Sequence, residues 1–347
     1  MLPVAELLAD CLRDARVAPL GTVPVGPDDP GYADARRAFL AAGLATLRDG
    51  GPGADWVQVS LDPGAAVRRD LYGSLARTVR ELLGAGAVRN FFFMHKPPGL
   101  RLRFQAPARD ACDALRADLL ARLTTDGGLG AALIRPPVCG VYEPETYLFG
   151  GERAMPWVHG VFTADSLAWL DHHAGAAAGG GAPEAADWRV SLTLLRELLD
   201  GLGIVGWEHR GVWESVRDDT GRRLGEDPDA AATRRAAEGI RAFWRRGRDE
   251  LTAGLPAPER AALEAHRDAV GTAARQWCTG YFASGDATGG AGPRRAAAYC
   301  VIFHWNRGRL SPARQSLLTA ALAAPEMSRA PAADPRPAAV AGVTGRG

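Results

Sequence analysis

The sequence predicts an α+β protein, in which a mixed or antiparallel β-sheet with an arginine-bearing hairpin is packed with helices. Two observations predict this class. Segments with the β-branched and aromatic residues of strands lie in the first half of the chain, at 56–61 and 90–105. The second half is mainly helical, with Ala, Arg and Leu recurring over 229–252 and 256–280. Strands come first and helices later, which makes α+β the expected class.

The elements of the first half follow from apolar periodicity and from breaks rich in Gly and Pro. The helices expected there span 1–20, 32–49, 63–83 and 107–123. A strand is expected at 56–61, and the region 133–148 is expected to be extended. Strands at 90–95 and 100–105 flank a Pro-Pro-Gly turn at 97–99, and together they predict a β-hairpin.

The second half divides into helices joined by short breaks. These helices are expected at 164–173, 187–202, 229–252, 256–280 and 293–307. A single catalytic domain is expected over 1–325, with 175–185 as an insertion or a flexible surface loop. The Ala- and Pro-rich tail at 326–347 has the composition of a disordered segment.

The charges of the chain nearly cancel, with 41 basic and 40 acidic residues and a formal net charge of +1. This balance argues against a nucleic-acid binder that uses a broad basic surface. No apolar run approaches the ~20 residues of a membrane helix. The N-terminus lacks the basic start of a signal peptide. A cytoplasmic protein with neither a nucleic-acid nor a membrane partner is therefore expected.

The cysteines and histidines form no recognisable metal motif, so no metal site is expected. The five cysteines are scattered, at Cys11, Cys112, Cys139, Cys278 and Cys300. One lysine, Lys96, stands among 41 basic residues, and all the others are arginine. Because the chain otherwise uses arginine, Lys96 marks the hairpin turn as a candidate functional position.

The first candidate group is the arginine pair of the hairpin. Alternation places Arg101 and Arg103 on one face of the strand, about 7 Å apart, with Gln105 in register. Two such guanidiniums can hold carbonyl or carboxylate oxygens. The alternative interpretation is the solvated outer face of an edge strand, where arginine is common.

The second candidate group is the segment 141–151, in which Glu143 and Glu145 lie between Tyr142 and Tyr147 and precede Gly150-Gly151. These side chains could anchor a peptide or pair with the arginines of the hairpin. The alternative is a strand followed by a glycine turn, with its carboxylates in solvent.

The third candidate group lies near the end of the helix at 293–307. Tyr299, His304, Asn306 and Arg307 provide proton-transfer and hydrogen-bonding groups, and Trp305 adds aromatic surface. The alternative is a buried helix whose polar side chains satisfy backbone groups.

In this order, the motifs resemble the thiopeptide-type bacteriocin biosynthesis domain, the family of the C-terminal elimination domain of lantibiotic dehydratases. The resemblance rests on H-K-x-x-G-L-R-L-R-F at 95–104, Y-E-x-E with a following G-G at 142–151, and H-x-N-R at 304–307. The strand W-x-Q-V-x-L at 56–61 and the segment 155–166 also fit, so the resemblance covers about 54–310.

The resemblance implies one of two activities. One eliminates glutamate from glutamylated serine or threonine. The other is the pyridine synthase of thiopeptide antibiotics, which joins two dehydroalanines in a formal [4+2] aza-cycloaddition and expels water and the leader peptide. Elimination domains typically carry arginine and tyrosine directly before Gly-Gly, whereas this chain has Leu148 and Phe149. This departure favours the pyridine synthase. A glutamate-eliminating lyase and a non-catalytic leader-binding scaffold remain the alternatives.

The resemblance also suggests roles for individual residues. The expected catalytic residues are Tyr299, as principal acid/base or hydrogen-bond donor, and His304. Substrate binding is expected from Arg101, Arg103, Gln105, Tyr142, Glu145, Tyr147, Trp305, Asn306 and Arg307. Lys96 is expected to act in the hairpin turn. No cofactor is implied, the partner is a precursor peptide with a leader and a dehydrated, azole-containing core, and a homodimer is compatible with the sequence.

Overall fold

The computed structural model describes most of the chain from residue 53 to residue 328. The described ranges are 53–63, 69–97, 99–124, 133–175, 183–225, 230–284 and 292–328, with parts of 9–42. The described residues of the two expected N-terminal helices are helical. The remainder of those helices and the tail beyond 328 lie outside the described residues.

The strands form a four-stranded antiparallel sheet in the order β2-β3-β1-β4. They are β1 Trp56–Asp62, β2 Asn90–Lys96, β3 Gly99–Gln105 and β4 Arg135–Gly140. The predicted hairpin is confirmed, because β2 and β3 pair from Asn90 with Gln105 to Lys96 with Gly99. Gly99 is required there, since a Cβ atom would lie 2.5 Å from the carbonyl oxygen of Leu61.

From residue 53 onward, helices surround the sheet and make up nearly all of the second half, so the α+β prediction is confirmed. The helices are α1 Arg69–Gly84, α2 Cys112–Thr124, α3 Thr146–Phe149, α4 Met155–Gly175, α5 Pro183–Gly201, α6 Glu208–Thr220, α7 Ala230–Trp244, α8 Ala257–Trp277, α9 Pro293–Arg307 and α10 Pro312–Leu322. Helix α8 continues into a π-helical turn at Cys278–Phe282. No helix in the described part of the chain has the length and apolarity to cross a membrane.

Several predicted boundaries were wrong. The region 133–148 is not extended throughout, because β4 ends at Gly140 and α3 begins at Thr146. Helix α4 begins at Met155 rather than at 164, since Pro156 lies in its first turn, where proline removes no helical hydrogen bond. The predicted loop at 175–185 overlaps the end of α4 and the start of α5. Helices α6 and α10 were not predicted.

The two faces of the sheet differ in chemistry. One face is apolar, with Val59, Phe93 and Leu102 side by side on neighbouring strands and all fully buried. On the other face, Gln58 lies opposite Arg103 across the β1–β3 pair, and Phe92 lies opposite Arg103 across the β2–β3 pair. The second face therefore carries the polar residues of the first candidate group.

Helix α4 lies along the outer edge of β2. The backbone N–H of Phe91 donates to the Thr163 hydroxyl at 3.0 Å, and that of Phe93 donates to the Ser166 hydroxyl at 3.4 Å. These N–H groups point away from β3, so the helix supplies the hydrogen bonds that a further strand would otherwise provide. This contact fixes α4 beside the polar face of the sheet.

Candidate active site

Arg103 is the buried cation of the polar face. Its guanidinium lies over the rings of Phe92, at 5.0 Å, and Tyr142, at 4.7 Å, and its Nε donates to Gln58 Oε1 at 2.9 Å. Burial lowers its pKa, but arginine stays charged far above neutral pH. Only 4% of Arg103 is exposed, so the interpretation of this arginine as part of a solvated outer face is wrong.

Tyr142 and His159 form the layer beside Arg103. The Tyr142 hydroxyl lies 2.9 Å from His159 Nε2, and the Trp56 ring packs against both. Burial, together with the charge of Arg103, lowers the pKa of His159 to about 3, so this ring is neutral at physiological pH. Burial also raises the pKa of Tyr142, which keeps the phenol protonated. A neutral hydrogen-bonded pair therefore lies against the guanidinium.

Glycines fix the segment that brings Tyr142 to this place. A Cβ atom on Gly53 would lie 2.2 Å from the Tyr142 carbonyl oxygen. Gly150 ends α3 with a φ of 104°, in the left-handed region that favours glycine. Its carbonyl accepts a hydrogen bond of 2.6 Å from the Tyr281 hydroxyl. The segment is thus held at both ends.

Arg101 and Glu145 form the more accessible part of the site, and each is half-buried. The charge of Glu145 raises the pKa of Arg103, and that of Arg101 lowers it, which places both side chains within electrostatic reach of the buried guanidinium. The Nε of Arg101 is buried without a hydrogen-bond partner. Arg101 is therefore less constrained by hydrogen bonds than Arg103.

A second buried group connects α4 to α9. Asp165 accepts hydrogen bonds from His304 Nδ1 at 2.7 Å and from Arg307 Nη1 at 2.6 Å. Burial would raise the pKa of Asp165, but His304 and Arg307 outweigh it and the pKa is lowered. His304 Nε2 lies 3.0 Å from the Ser191 hydroxyl. The carboxylate is therefore charged and fully partnered in the interior.

Arg307 connects this group to the polar face of the sheet. Its guanidinium lies 4.4 Å from the Phe162 ring centre and 5.8 Å from that of Phe92, the ring that also contacts Arg103. Its Nε and Nη2 are buried without hydrogen-bond partners. A cavity of about 10 Å³ borders Arg307, Asp165 and His304.

Two histidines hold the C-terminal carbonyls of α9. His95 Nδ1 donates to the Asn306 carbonyl at 2.9 Å, and His173 Nε2 donates to the Arg307 carbonyl at 2.8 Å. A carbonyl can only accept, so the neutral His95 ring uses Nε2 to accept from the Tyr72 hydroxyl at 2.7 Å. Burial lowers the pKa of His95 to about 4 and that of His173 to about 3. Hydrogen bonds from neutral rings therefore anchor the H-x-N-R segment to the hairpin through His95 and to α4 through His173.

The structure brings together only some of the predicted site residues. Arg103, Tyr142 and Arg307 converge around Phe92, with Arg101 and Glu145 beside them. His304 lies in the buried group on α4 and α9, where it is only 3% exposed.

Other predicted residues lie apart from this cluster. Trp305 is fully buried and stacks on Trp213 at 6.0 Å. Tyr147 is 77% exposed. Tyr299 is half-buried, and its hydroxyl is hydrogen-bonded to Arg295, whose pKa this contact raises.

The remaining predicted residues are Gln105, Lys96 and Asn306, and they differ in whether they form hydrogen bonds within the protein. Gln105 donates to Asp55 at 2.8 Å and accepts from Asn90 at 2.7 Å, so both ends of its amide are engaged. Lys96 is half-buried, and no hydrogen bond or ion pair joins its side chain to a described residue. Asn306 takes part through its carbonyl oxygen.

Three residues of the site were not singled out from the sequence: Gln58, His159 and Asp165. Each is a polar residue in an otherwise apolar element, Gln58 within β1 and the other two on the buried side of α4. A buried polar residue requires hydrogen-bond partners. A polar residue within an apolar strand or helix was therefore the sequence signal that could have identified these three residues. Among the described residues, no group of three or more His, Cys, Asp or Glu side chains converges as a metal site.

Comparisons with known protein families and structures identify relatives of this chain. The sequence profile of the family described as "Lantibiotic biosynthesis dehydratase C-term" matches residues 56–324. The search of curated protein sequences found no match.

Two solved structures are similar to this chain. The tRNA-dependent lantibiotic dehydratase MibB from Microbispora sp. 107891 is similar with a TM-score of 0.52 and 20% identity, over 79% of this chain and 28% of that one. This chain thus spans little more than a quarter of MibB. The structure of TsrL gives a TM-score of 0.40 and 15% identity, over 77% of this chain and 92% of that one. With the profile covering most of its length, this chain belongs to the lantibiotic dehydratase C-terminal family.

Proposed function

We propose that this protein is a pyridine synthase of thiopeptide biosynthesis. Membership of the family supports a role in modifying a ribosomally made precursor peptide. The observation that carries the finer proposal is the apolar pair Leu148–Phe149, directly before Gly150-Gly151, where elimination domains typically carry arginine and tyrosine. The substrate would be a linear peptide with two dehydroalanines and neighbouring azoles.

The surroundings of Phe149 support an uncharged substrate. Its ring is fully buried and lies 5.6 Å from Phe162 and 5.6 Å from Phe303, while Leu148 packs half-buried beside this cluster. A glutamyl carboxylate that entered here would lose its hydration without gaining a cation from these two positions. Azole rings, in contrast, pack favourably against aromatic and aliphatic side chains.

The buried cations of the site are already engaged. Arg103 is held by Gln58 and lies over the rings of Phe92 and Tyr142, and Arg307 is paired with Asp165. Withdrawing either guanidinium to bind a free carboxylate would break a buried hydrogen bond or ion pair. Their proposed role is to fix the shape and the positive potential of the polar face, beside which the peptide carbonyls are oriented.

The proposed reaction closes a ring between distant residues of one peptide, so positioning dominates its rate. An amide must react as its iminol tautomer, after which water and the leader peptide are lost. These steps need a group that donates and accepts protons. Tyr299, which lies apart from the cluster around Phe92, is proposed for this role because its side chain is half-buried and its hydroxyl is hydrogen-bonded to Arg295. The buried His304 is proposed as a positioning residue for Asp165 and Arg307.

One observation favours the alternative of glutamate elimination. Arg101 is half-buried, and its Nε has no hydrogen-bond partner. This guanidinium could bind a glutamyl carboxylate at the open side of the hairpin.

Two substrates distinguish the proposals. The purified protein is incubated with a fully dehydrated, azole-bearing precursor and, separately, with a glutamylated precursor, and the products are identified by mass spectrometry. A pyridine synthase converts only the first, with loss of water and of the leader. Turnover of the glutamylated peptide alone would establish elimination instead. Tight leader binding with no mass change in either peptide would indicate a scaffold.

Variants then test the residues. Tyr299→Phe removes one hydroxyl and is expected to lower macrocycle formation at least about tenfold while the fold is retained. His304→Ala is expected to lower both activity and thermal stability. Full turnover by both variants would remove these two residues from the mechanism, while leaving the assignment of the reaction to the substrate assay.

A further inference from the structure

A large groove lies on the helical half of the protein, among α5, α7 and α10. Its volume is about 710 Å³, within the range of ligand-binding clefts. Its apolar residues include Trp188, Phe243, Ile240 and Leu317. None of the candidate active-site residues lines it. The groove is therefore distinct from the polar face of the sheet.

The charged residues that line the groove are all basic. Arg189, Arg246 and Arg314 line it, and no Asp or Glu does, although the chain as a whole is almost neutral. No described carboxylate pairs within 4.0 Å with Arg189 or Arg246. The N-terminus of α10, where Ser311 caps the helix, adds the positive end of a helix dipole to the same lining. The groove thus concentrates positive charge.

The two exposed arginines are arranged around aromatic rings. The Arg189 guanidinium lies 5.4 Å from the Trp188 ring centre and 6.0 Å from that of Phe243, and Arg246 lies 5.5 Å from Phe243. Stacking on rings restricts the side chains while leaving guanidinium N–H groups available to an incoming acceptor. An apolar floor with cations at its margin is the chemistry that receives an amphipathic, acidic helix.

We infer that this groove binds an acidic amphipathic segment of the peptide substrate, away from the residues where the chemistry occurs. The inference rests on the proposed function, since a peptide-modifying enzyme requires a peptide partner. Leucine-type side chains at helical spacing would fill the space among Phe243, Ile240 and Leu317, and carboxylates on the flanks would meet Arg189 and Arg246. Apolar residues in the lining favour a peptide over a nucleic acid, whose backbone binds along a continuous track of positive charge.

The test measures binding without turnover. The probe is a fluorescein-labelled synthetic peptide of about 18 residues, or about five helical turns, with Leu at helical spacing and Glu elsewhere. We expect it to bind the full-length protein, and a peptide with Gln in place of Glu to bind at least about tenfold more weakly. The double variant Arg189→Glu/Arg246→Glu is expected to lose at least about tenfold in affinity for the Glu peptide.

A charge-matched variant provides the control. Arg234 and Arg260 are exposed, lie outside the groove and form no ion pair with a described residue. Arg234→Glu/Arg260→Glu changes the net charge equally and should retain affinity within about twofold, because distant surface charges are screened. Equal losses in both double variants would overturn the inference, and so would Glu and Gln peptides that bind alike.

Two further outcomes separate related ideas. Displacement of the peptide by bulk tRNA, with tRNA binding lost in the groove variant alone, would assign the groove to nucleic acid and overturn the peptide inference. If the probe binds and the groove variant loses that binding, but the protein transforms neither precursor, the inference about the groove stands and the proposed reaction fails. Conversely, if the protein forms the macrocycle while its groove variant still binds the probe normally, only the inference about the groove fails, and the proposed reaction stands.

Discussion

Arg307 Nη1 lies 2.6 Å from Asp165 Oδ2 in a part of the protein where Arg307 is 1% exposed and Asp165 5%. The pair joins α9 to α4 at the polar face of the sheet. Burying two charges costs desolvation energy, which their contact and the additional hydrogen bond from His304 offset. The pair therefore makes the position of the H-x-N-R segment dependent on one carboxylate.

Replacing that carboxylate by its neutral isostere should strongly destabilise the protein. Asp165→Asn leaves the Arg307 charge buried without a counterion, and we expect a loss of about 3–5 kcal/mol in the free energy of unfolding, measured in urea. The control Asp218→Asn removes an exposed carboxylate that pairs with Arg217 and should cost about 1 kcal/mol or less. Similar losses of unfolding free energy in the two variants would contradict the claim that burial makes the Asp165–Arg307 pair important.

Stability should fall as the solution is acidified below about pH 6.5. The folded protein holds His95 neutral down to a pKa of about 4, and His159 and His173 down to about 3, whereas the unfolded chain protonates all three near 6.5. Their contribution is complete above pH 6.5 and is lost as the pH falls towards 4 and then 3. Each histidine adds a slope of up to about 1.4 kcal/mol per pH unit.

Urea unfolding at a series of pH values between 7 and 5 measures this slope, because few carboxylates titrate in that interval. His173→Gln removes one of the titrating groups and should reduce the slope by about one third, since three groups contribute. A free energy of unfolding that does not change between pH 7 and pH 5 would show that these rings are not held neutral.

Two adjacent glycines should differ in their tolerance of alanine. Gly150 and Gly151 have φ angles of 104° and 105°, so either alanine variant is strained by about 1–3 kcal/mol. At Gly150 a Cβ atom would also lie 2.6 Å from the Tyr281 hydroxyl, whereas nothing lies within 4 Å at Gly151. Gly150→Ala should therefore lower the melting temperature more than Gly151→Ala.

The Tyr281→Phe background tests the cause of that difference. Without the hydroxyl, the clash at Gly150 is relieved in part, and the gap between the two alanine variants should narrow. An unchanged gap would show that backbone strain alone distinguishes the two positions.

Introducing a cation before Gly-Gly should impair the proposed reaction. Leu148→Arg places a guanidinium beside the Phe149 cluster, and we expect at least about a tenfold decrease in macrocycle formed from the dehydrated precursor. Leu148→Met keeps an apolar side chain of similar volume and should retain most of the activity. Undiminished activity of the arginine variant would show that this position does not select an uncharged substrate.

Lys96 tests whether a compositional exception has a structural cause. The side chain is half-buried in the hairpin turn without a bond to a described residue, so Lys96→Arg should change the free energy of unfolding by no more than about 0.5 kcal/mol. If activity falls while stability is retained, the ammonium contacts the substrate. A large loss of stability would instead reveal a structural role that a guanidinium cannot fill.

Local patterns predicted the hairpin well and the candidate site only in part. Alternation along 100–105 was enough to place Arg101 and Arg103 on one face, because the period of a strand is fixed by its backbone. It could not show what covers that face. Tyr142 arrives on a separate segment held by Gly53 and Gly150, and His159 on a helix whose start was missed.

The buried ion pair illustrates the same limit more sharply. Asp165 and Arg307 are separated by 142 positions in the chain, and their contact depends on how α4 and α9 pack. No periodicity within either helix specifies that partner. A charged residue within an apolar helix predicts only that a partner exists.

The hydroxyls of Thr163 and Ser166 have a consequence for how this protein can associate with other chains. By occupying the outward N–H groups of β2, they leave that edge unable to pair with an incoming strand. At the opposite edge, Pro136 and Pro137 give β4 two residues that cannot donate a backbone hydrogen bond. The sheet is therefore poorly suited to extension from either side. We expect the proposed precursor peptide, or a second copy of the protein, to bind through side-chain surfaces rather than by adding a strand to the sheet.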